Sequence, residues 1–448
     1  MSLYDLETLG TDASRREGAL ADAASLVAAL ARGGFDEARV ARWFEVPLST
    51  EARYVRAPAE RARRGLGGWI ALGVAGEEVA REALRLPGIL DGEALARGLA
   101  ALEALGLVEE RDGALRARVA LTPVGGVVIA SDRLDAAGLD GAVGAPDLSG
   151  LQTAACLPSG ARLAGRRLLD VGTGAGVVAL AAARRGARVI GGDVDRRALG
   201  FARLNAALNG VGAGAARFVE SDLDRGVDAG ERFDVVVWNA PLLVAPLATS
   251  DPTAARRYVV AEGAAALACA FVDGVAARLA PGGEALLHAQ LAPSLVARLE
   301  ALAREAQVVS VVFALALDGT PHALTVIRPD GPRGLWRVPA PLGPICAHLT
   351  RAIVDGALGP RALPDDVAGV TVVPAPWLEL RVARQLVPRG QRAWAEARFG
   401  GVPLDDDERA LLERLDGSAL LALFPDGPDA ATRARLHSLI ARGLALLP

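Results

Sequence analysis

Apolar residues recur at helical spacing through Leu20–Arg32 and Glu37–Phe44, and again at Leu95, Leu99, Leu102 and Leu105. The last series stops at Gly106, a natural helix end because glycine takes the left-handed backbone without steric cost. The pattern then changes from helix to strand. Leu107–Glu110 and Ala114–Leu121 flank Arg111-Asp112-Gly113, and Asp-Gly between two apolar runs predicts a hairpin. Helices followed by a hairpin predict a winged-helix-like unit, mostly helical, over residues 1–145.

From residue 146 to 332 the rhythm is strand, helix, strand. Arg167–Val171, Arg188–Asp193, Arg217–Glu220 and Phe233–Asn239 read as strands, with helices at Val177–Arg185 and Arg196–Leu208. A helix over Ala261–Leu279 is expected to stop at Pro281-Gly282-Gly283. Then come a strand at Glu284–His288, a helix at Pro293–Arg304 and a closing strand pair, Val308–Leu315 with Ala323–Arg328. Alternation of this kind predicts an α/β domain with an open parallel sheet, whose ligands sit beyond the carboxyl ends of the strands. Residues 333–448 open on a proline- and glycine-rich stretch. Asp407–Leu415 and Thr432–Leu444 then read as amphipathic helices of a small helical or winged-helix-like domain.

Composition narrows the chemistry. The chain has 448 residues, enough for two or three domains, and 52% of them are hydrophobic against 23% charged. All 49 basic residues are arginine, which excludes Schiff-base chemistry and the lysine-bearing phosphate loop. Net charge is −4, which does not favour a nucleic-acid partner although a local basic face stays open. Arg53, Arg56, Arg61, Arg63 and Arg64 form such a run, read here as a solvated helix face or a substrate-docking module. Cys156, Cys269 and Cys346 are scattered, as are the four histidines, so no metal site is expected. No apolar run reaches the ~20 residues of a membrane helix, and the first residues lack a secretory pattern. These features together predict a cytoplasmic protein.

The most informative stretch is Leu168-Leu169-Asp170-Val171-Gly172-Thr173-Gly174-Ala175-Gly176. A buried strand runs into a glycine loop and then a helix, so loop amides and the helix start face a ligand's polar groups. The dinucleotide fingerprint spaces its glycines at offsets 0, 2 and 5. Here they fall at 0, 2 and 4, behind an acidic residue. The next strand ends at Asp193, 23 residues after Asp170, where a carboxylate can accept from both ribose hydroxyls. Glu220-Ser221-Asp222-Leu223 follows the third strand. The residue Asp195 is placed to cap the following helix.

This series resembles class I methyltransferases that use S-adenosylmethionine. The resemblance implies a Rossmann-like, seven-stranded domain between the two accessory regions. It also implies a cofactor site of Asp170, Gly172, Thr173, Gly174, Gly176, Asp193, Val194, Ser221, Asp222, Leu223 and Asn239. Asp170 would hold the methionine amino end, Asp193 the ribose and Asp222 the adenine amino group, with Val194 packed on the adenine. S-adenosylhomocysteine would be the product.

The fourth strand ends in Asn239-Ala240-Pro241-Leu242, a variant of the Asn-Pro-Pro-aromatic motif of methyltransferases that act on nitrogen. With Arg197–Asn209 and Arg232-Phe233-Asp234, it is similar to the small methyltransferase domain group. That group includes the release-factor glutamine and ribosomal-RNA guanine N-methyltransferases. The resemblance implies that the Asn239 side-chain oxygen and the Ala240 carbonyl accept from a target NH2. Alignment of this kind supplies ~7–11 kcal/mol of a displacement barrier, and fixed acceptors favour charge developing on nitrogen. Ala240 replaces the first proline, so the carbonyl is held less rigidly. Leu242 replaces the aromatic residue, which removes a stacking partner worth ~1–3 kcal/mol per base.

The expected acceptor is therefore an amide or amine nitrogen of a protein, peptide or natural product, with a nucleobase less favoured and no membrane partner. Leu151, Tyr258 and Glu262, with Arg257, are candidate acceptor contacts, each balanced against a surface or capping role. His288 is weighed as a base against a packed strand residue. Asp147–Gln152 could fold over the site or serve as a linker. Two alternatives stay open. One is an O-methyltransferase of secondary metabolism. The other is a non-enzymatic winged-helix regulator that senses the cofactor.

Overall fold

The computed structural model describes residues 13–46, 57–58, 60–133, 142–241, 261–314, 321–339, 350–351, 353–355, 366–367, 370–374, 405–416, 418–441 and 445–446. The chain divides into two compact units, one formed by residues 1–154 and 160–260, the other by 155–159 and 261–448.

In the first unit the helices Ala13–Arg32 and Glu37–Phe44 precede Gly92–Ala104. Asp36 and Asp91 cap two of them by accepting from the amides of Arg39 and Ala94. The predicted stop is present: Gly106 has φ +66°, and Leu107 N–H donates to the Leu102 carbonyl. The hairpin follows as β2 (Val108–Arg111) and β3 (Ala114–Ala117), with Asp112 and Gly113 both at positive φ. The short strand β1 (Val79–Ala80) pairs with β3.

The predicted strand Ala114–Leu121 is in fact two strands. β3 ends at Ala117, and β4 (Ala120–Val124) turns at Gly125-Gly126 into β5 (Val127–Ser131). Both strands of this second hairpin are buried throughout. A run buried on both faces lacks the polar alternation that would have marked its breaks.

The strands β6 (Arg167–Val171), β7 (Arg188–Asp193), β8 (Ala216–Glu220) and β9 (Phe233–Asn239) run parallel in the order β9-β6-β7-β8. Helices Val177–Arg184 and Arg196–Leu208 cover them. The second helix carries Asn205 and Asn209 one turn apart. Asn205 accepts from Ala130 N–H and donates to the carbonyls of Ala130 and Ala175. Asn209 accepts from Val128 N–H and donates to the Val128 carbonyl. Two side-chain amides thus complete the edge of β5 as a neighbouring strand would. A buried backbone group left unpaired there would cost ~1–3 kcal/mol. The Asp132 carboxylate, buried at the end of β5, pairs with Arg197 of the same helix and accepts from Val143 N–H.

In the second unit β10 (Leu279–Gln290) and β11 (Gln307–Ala314) each pair antiparallel with β12 (Pro321–Arg328). β13 (Gly334–Pro339) runs parallel to β11. The seven strands expected between 146 and 332 are thus present, four in one unit and three in the other, and β13 lies just past that range. The helix expected over Ala261–Leu279 ends at Val275, and Pro281-Gly282-Gly283 falls inside β10 instead of stopping the helix. Gly282 takes φ +71°, and its N–H donates to Asp330.

Farther along, Asp405 and Glu408 form a capping box on the helix Asp406–Arg414. Leu411, Leu412 and Leu415 of this region pack with Leu436 and Leu439 from the helix Ala430–Ala441. Cys156 and Cys269 are free thiols, and Cys346 lies outside the described residues. Among the described residues no helix is long and apolar enough to cross a membrane, and no cluster could hold a metal ion.

Candidate active site at the strand tips

Parallel register aligns the tips of four strands. Val171 of β6 pairs with Gly192 of β7 and with Trp238 of β9, and Asp193 pairs with Glu220 of β8. Gly172, Asp193 and Asn239 are each the next residue along or the strand's end, so they stand in one row. Adjacent strands are ~4.8 Å apart, which puts Asn239 and Asp193 on the order of 10 Å from each other.

The glycine loop fills the middle of that row. Gly172 and Gly174 have φ of +62° and +55°, where any side chain is strained. A Cβ at Gly174 would meet nothing within 4 Å, so the loop presents bare backbone to open space. Gly191 serves the loop from behind. A Cβ there would come within 2.8 Å of Thr173 Oγ1 and 2.7 Å of Phe218.

Asp170 is fully enclosed beneath this loop. Its Oδ2 accepts from Thr173 Oγ1 at 2.7 Å and from Ala179 N–H at 3.0 Å. Burial pushes its carboxyl up to about 7; those two hydrogen bonds oppose the rise and the nearby Asp193 charge adds to it. A raised carboxyl means that the folded state binds more protons than the unfolded chain. Its share of stability is therefore lost as pH climbs from near ~4 through about 7. Asp170→Asn keeps an acceptor and removes the charge. The melting-temperature difference between this variant and the wild type is expected to grow in the variant's favour across that window. A flat difference in a pH series of thermal melts would contradict the burial argument.

Asp193 is also held above the usual carboxylate range, chiefly by burial, against hydrogen bonds from the backbone of Asp195 and Gly174. Its Oδ2 accepts from Gly174 N–H at 2.8 Å and its Oδ1 from Asp195 N–H at 2.9 Å. The carboxylate therefore clamps the glycine loop to the tip of β7. Each oxygen has two lone pairs, so capacity remains for further donors. Asp195 caps the following helix as predicted, accepting from Arg197 N–H. Val194 beside it is 59% exposed, an unusual state for valine and a ready apolar surface.

The third tip differs from expectation in detail. Ser221 is buried, and its hydroxyl is spent inside the turn: Oγ donates to the Leu223 carbonyl and accepts from Gly226 N–H. Leu223 sits at φ +52°, a strained conformation for a branched residue. Ser221 and Leu223 therefore shape the loop. The half-exposed Asp222 carboxylate pairs with Arg225.

At the fourth tip, Asn239 meets the helix Leu148–Cys156. Asp147 caps that helix by accepting from Gly150 N–H at 2.8 Å and also accepts from Ser149 Oγ at 2.7 Å. Since the single Ser149 proton goes to Asp147, its oxygen accepts from Asn239 Nδ2 at 2.9 Å. That fixes which way the Asn239 amide faces. Thr153 Oγ1 lies 2.9 Å from the Ser149 carbonyl and 3.3 Å from Asn239 Oδ1, so its proton favours the carbonyl. Asn239 Oδ1 thus keeps acceptor capacity for a further donor. On the same helix Gln152 is buried, with Nε2 unpartnered among the described residues, and Leu151 is half-buried.

The sequence did not single out Ser149 and Thr153. The readable signal was Asp147 followed by Ser149-Gly150, a helix-cap pattern that argues against a linker. Ala240 is buried and Pro241 half-buried after the strand. Leu242, Arg257 and Tyr258 lie outside the described residues, as does the side chain of Glu262. His288 is a buried β10 residue whose ring meets that of His322 edge-on at 6.4 Å. Residues that fit a cationic nucleoside ligand are present in the first unit: two buried carboxylates raised for want of a counter-charge, a loop with no side chain, and an exposed valine.

Comparison with known proteins agrees. A family profile described as ribosomal protein L11 methyltransferase (PrmA) matches residues 152–269. A ribosomal protein L11 methyltransferase of Deinococcus radiodurans is 48% identical over 81 residues, covering 17% of this chain and 29% of that protein. A release factor glutamine methyltransferase of the same organism is 38% identical over 151 residues, covering 32% of this chain and 52% of that protein. This chain thus spans about half or less of the length of these two curated relatives. Among solved structures, a 16S rRNA methyltransferase (RsmC) of Thermus thermophilus in complex with AdoMet and guanosine matches with a TM-score of 0.32 at 22% identity. That match covers 52% of this chain and 62% of the other. By sequence, the segment 152–269 is similar to this methyltransferase family.

Proposed function

We propose that the protein as a whole is an S-adenosylmethionine-dependent methyltransferase acting on an amide or amine nitrogen of a protein or peptide. The observation that carries the reading is Asn239, whose Nδ2 is held by Ser149 while its Oδ1, with only the longer Thr153 contact, keeps acceptor capacity. The relatives support a protein acceptor, being named for ribosomal protein L11 and for release-factor glutamine.

When bound, S-adenosylmethionine supplies an electrophilic methyl group on a sulfonium. This chain's residues do the rest. Asp170 and Asp193 offer negative charge at the strand tips, Gly172 and Gly174 allow close approach, and Val194 covers an apolar ring face. Asp222, shared with Arg225, would accept from the ring amino group. Thr173, Ser221 and Leu223 hold the loops that carry these groups. Asn239 and the Ala240 carbonyl would orient the acceptor, with Leu151 on the helix that holds Asn239.

Residues 1–145 and 333–448 are read as accessory domains around a 146–332 catalytic domain, in a cytoplasmic protein. The helix Gly92–Ala104 followed by β2 and β3 supports a winged-helix-like fold for the first. The test is methyl transfer from labelled cofactor into a bacterial lysate, separated into protein, RNA and small-molecule fractions. Label is expected in protein and stable to base, as a nitrogen-linked methyl is. Base-labile label would instead indicate an oxygen acceptor, and label confined to RNA would reject the protein reading.

A further inference from the structure

Far along the sequence from the strand tips, the helix Glu37–Phe44 and residues 61–67 and 85–89 line an open hollow of about 490 Å³ to which five arginines and no acidic residue contribute. Two of the five arginines are engaged within the chain and three are not. Arg61 pairs with Glu45, and Arg39 donates to the Gly34 carbonyl. Arg42, Arg64 and Arg85 are exposed, and their guanidinium groups make no hydrogen bond or ion pair among the described residues. Arg63, by contrast, forks onto Glu77 and the carbonyls of Arg61 and Pro58, which holds the wall in place. Apolar side chains share the lining, and Ile89 among them is 38% exposed.

The geometry points to a docking pocket for an acidic peptide segment that also carries apolar side chains. Guanidinium forks match carboxylates two hydrogen bonds at a time. A concave wall that is partly apolar suits a side chain between those carboxylates. A nucleic-acid strand fits less well. The Trp43 indole is buried and its N–H is committed to the Ala62 carbonyl, so it offers no face for a base. The whole chain is also net negative, which opposes a long polyanion beyond the pocket. This inference extends the reading of a protein acceptor by naming how one would be held. Its readout is binding alone, so it fails or stands apart from methyl transfer.

The experiment is fluorescence anisotropy of the full chain with a short fluorescein-labelled peptide alternating Glu and Leu. Saturable binding is expected at physiological salt. Combined Arg42→Ala, Arg64→Ala and Arg85→Ala should weaken it ~10-fold or more, as should a rise to high salt. The same peptide with Gln for Glu should not bind. Because these three side chains hold no partner among the described residues, the variant should melt at the wild-type temperature. No binding, or equal affinity of the triple variant, would overturn the proposal. So would a labelled single-stranded RNA that binds more tightly than the peptide and is weakened by the same substitutions.

Discussion

Asn239→Ala is expected to lower the rate of methyl transfer ~100-fold or more while leaving the affinity for S-adenosylhomocysteine nearly unchanged. The side chain sits at the end of β9, and the structure spends only its Nδ2 and the weaker of Thr153's two contacts. Its Oδ1 is the acceptor that a reacting N–H would need. Ser149→Ala tests the same geometry from behind. It frees Nδ2, lets the amide turn over and should cost a smaller factor, ~10-fold in kcat, with cofactor affinity again held. Turnover by Asn239→Ala at the wild-type rate would remove the nitrogen reading. Equal losses of cofactor affinity and rate would instead assign Asn239 to the cofactor site.

The second large effect belongs to Asp193. Asp193→Ala should weaken S-adenosylhomocysteine binding ~100-fold, measured by calorimetry, because hydrogen bonds to a charged group are worth ~1.5–3 kcal/mol each. Two roles coincide in this carboxylate. It already accepts from Gly174 and Asp195 N–H, which sets the height of the glycine loop above β6. It also stands where ribose hydroxyls would arrive. Asp193→Asn keeps an acceptor for Gly174 and should fall between the two. Asp222→Ala should cost less, since that carboxylate is half exposed and shared with Arg225. Unchanged binding by Asp193→Ala would remove the cofactor assignment from this tip.

Much of this architecture was written in the local pattern. β6, β7 and β9 begin and end where their apolar runs do, and Gly106 and Asp112-Gly113 punctuate the chain as their backbone preferences require. Patterns buried on both sides were harder. β4 and β5 carry no polar alternation, so their turn at Gly125-Gly126 was submerged in one long apolar stretch. The Pro281-Gly282-Gly283 triplet misled in the opposite sense, because the helix had already ended at Val275 and the triplet opens β10 ahead of the residues that pair with β12.

The site divides along the same line. Acidic residues at strand ends and glycines at fixed offsets are visible in sequence because each answers to its own backbone. Ser221 looks like a ligand contact by position, yet its hydroxyl is consumed by Leu223 and Gly226 two to five residues on. Asn205 is a polar residue on a buried helix face, and that oddity was the one available hint of its bonds to β5.

The sequence alone determined the strands, the glycine loop and which carboxylates stand at its rim, because strand period and glycine backbone freedom act over a few residues. The sheet expected to be parallel is so through β9-β6-β7-β8, whereas β12 pairs antiparallel with β10 and β11. Only the tertiary structure decided which way the Asn239 amide points, what Asp193 grips and that three arginines around residue 42 to 85 share one hollow. Those outcomes depend on single hydrogen-bond protons and on partners up to 90 positions away, beyond what a local pattern records.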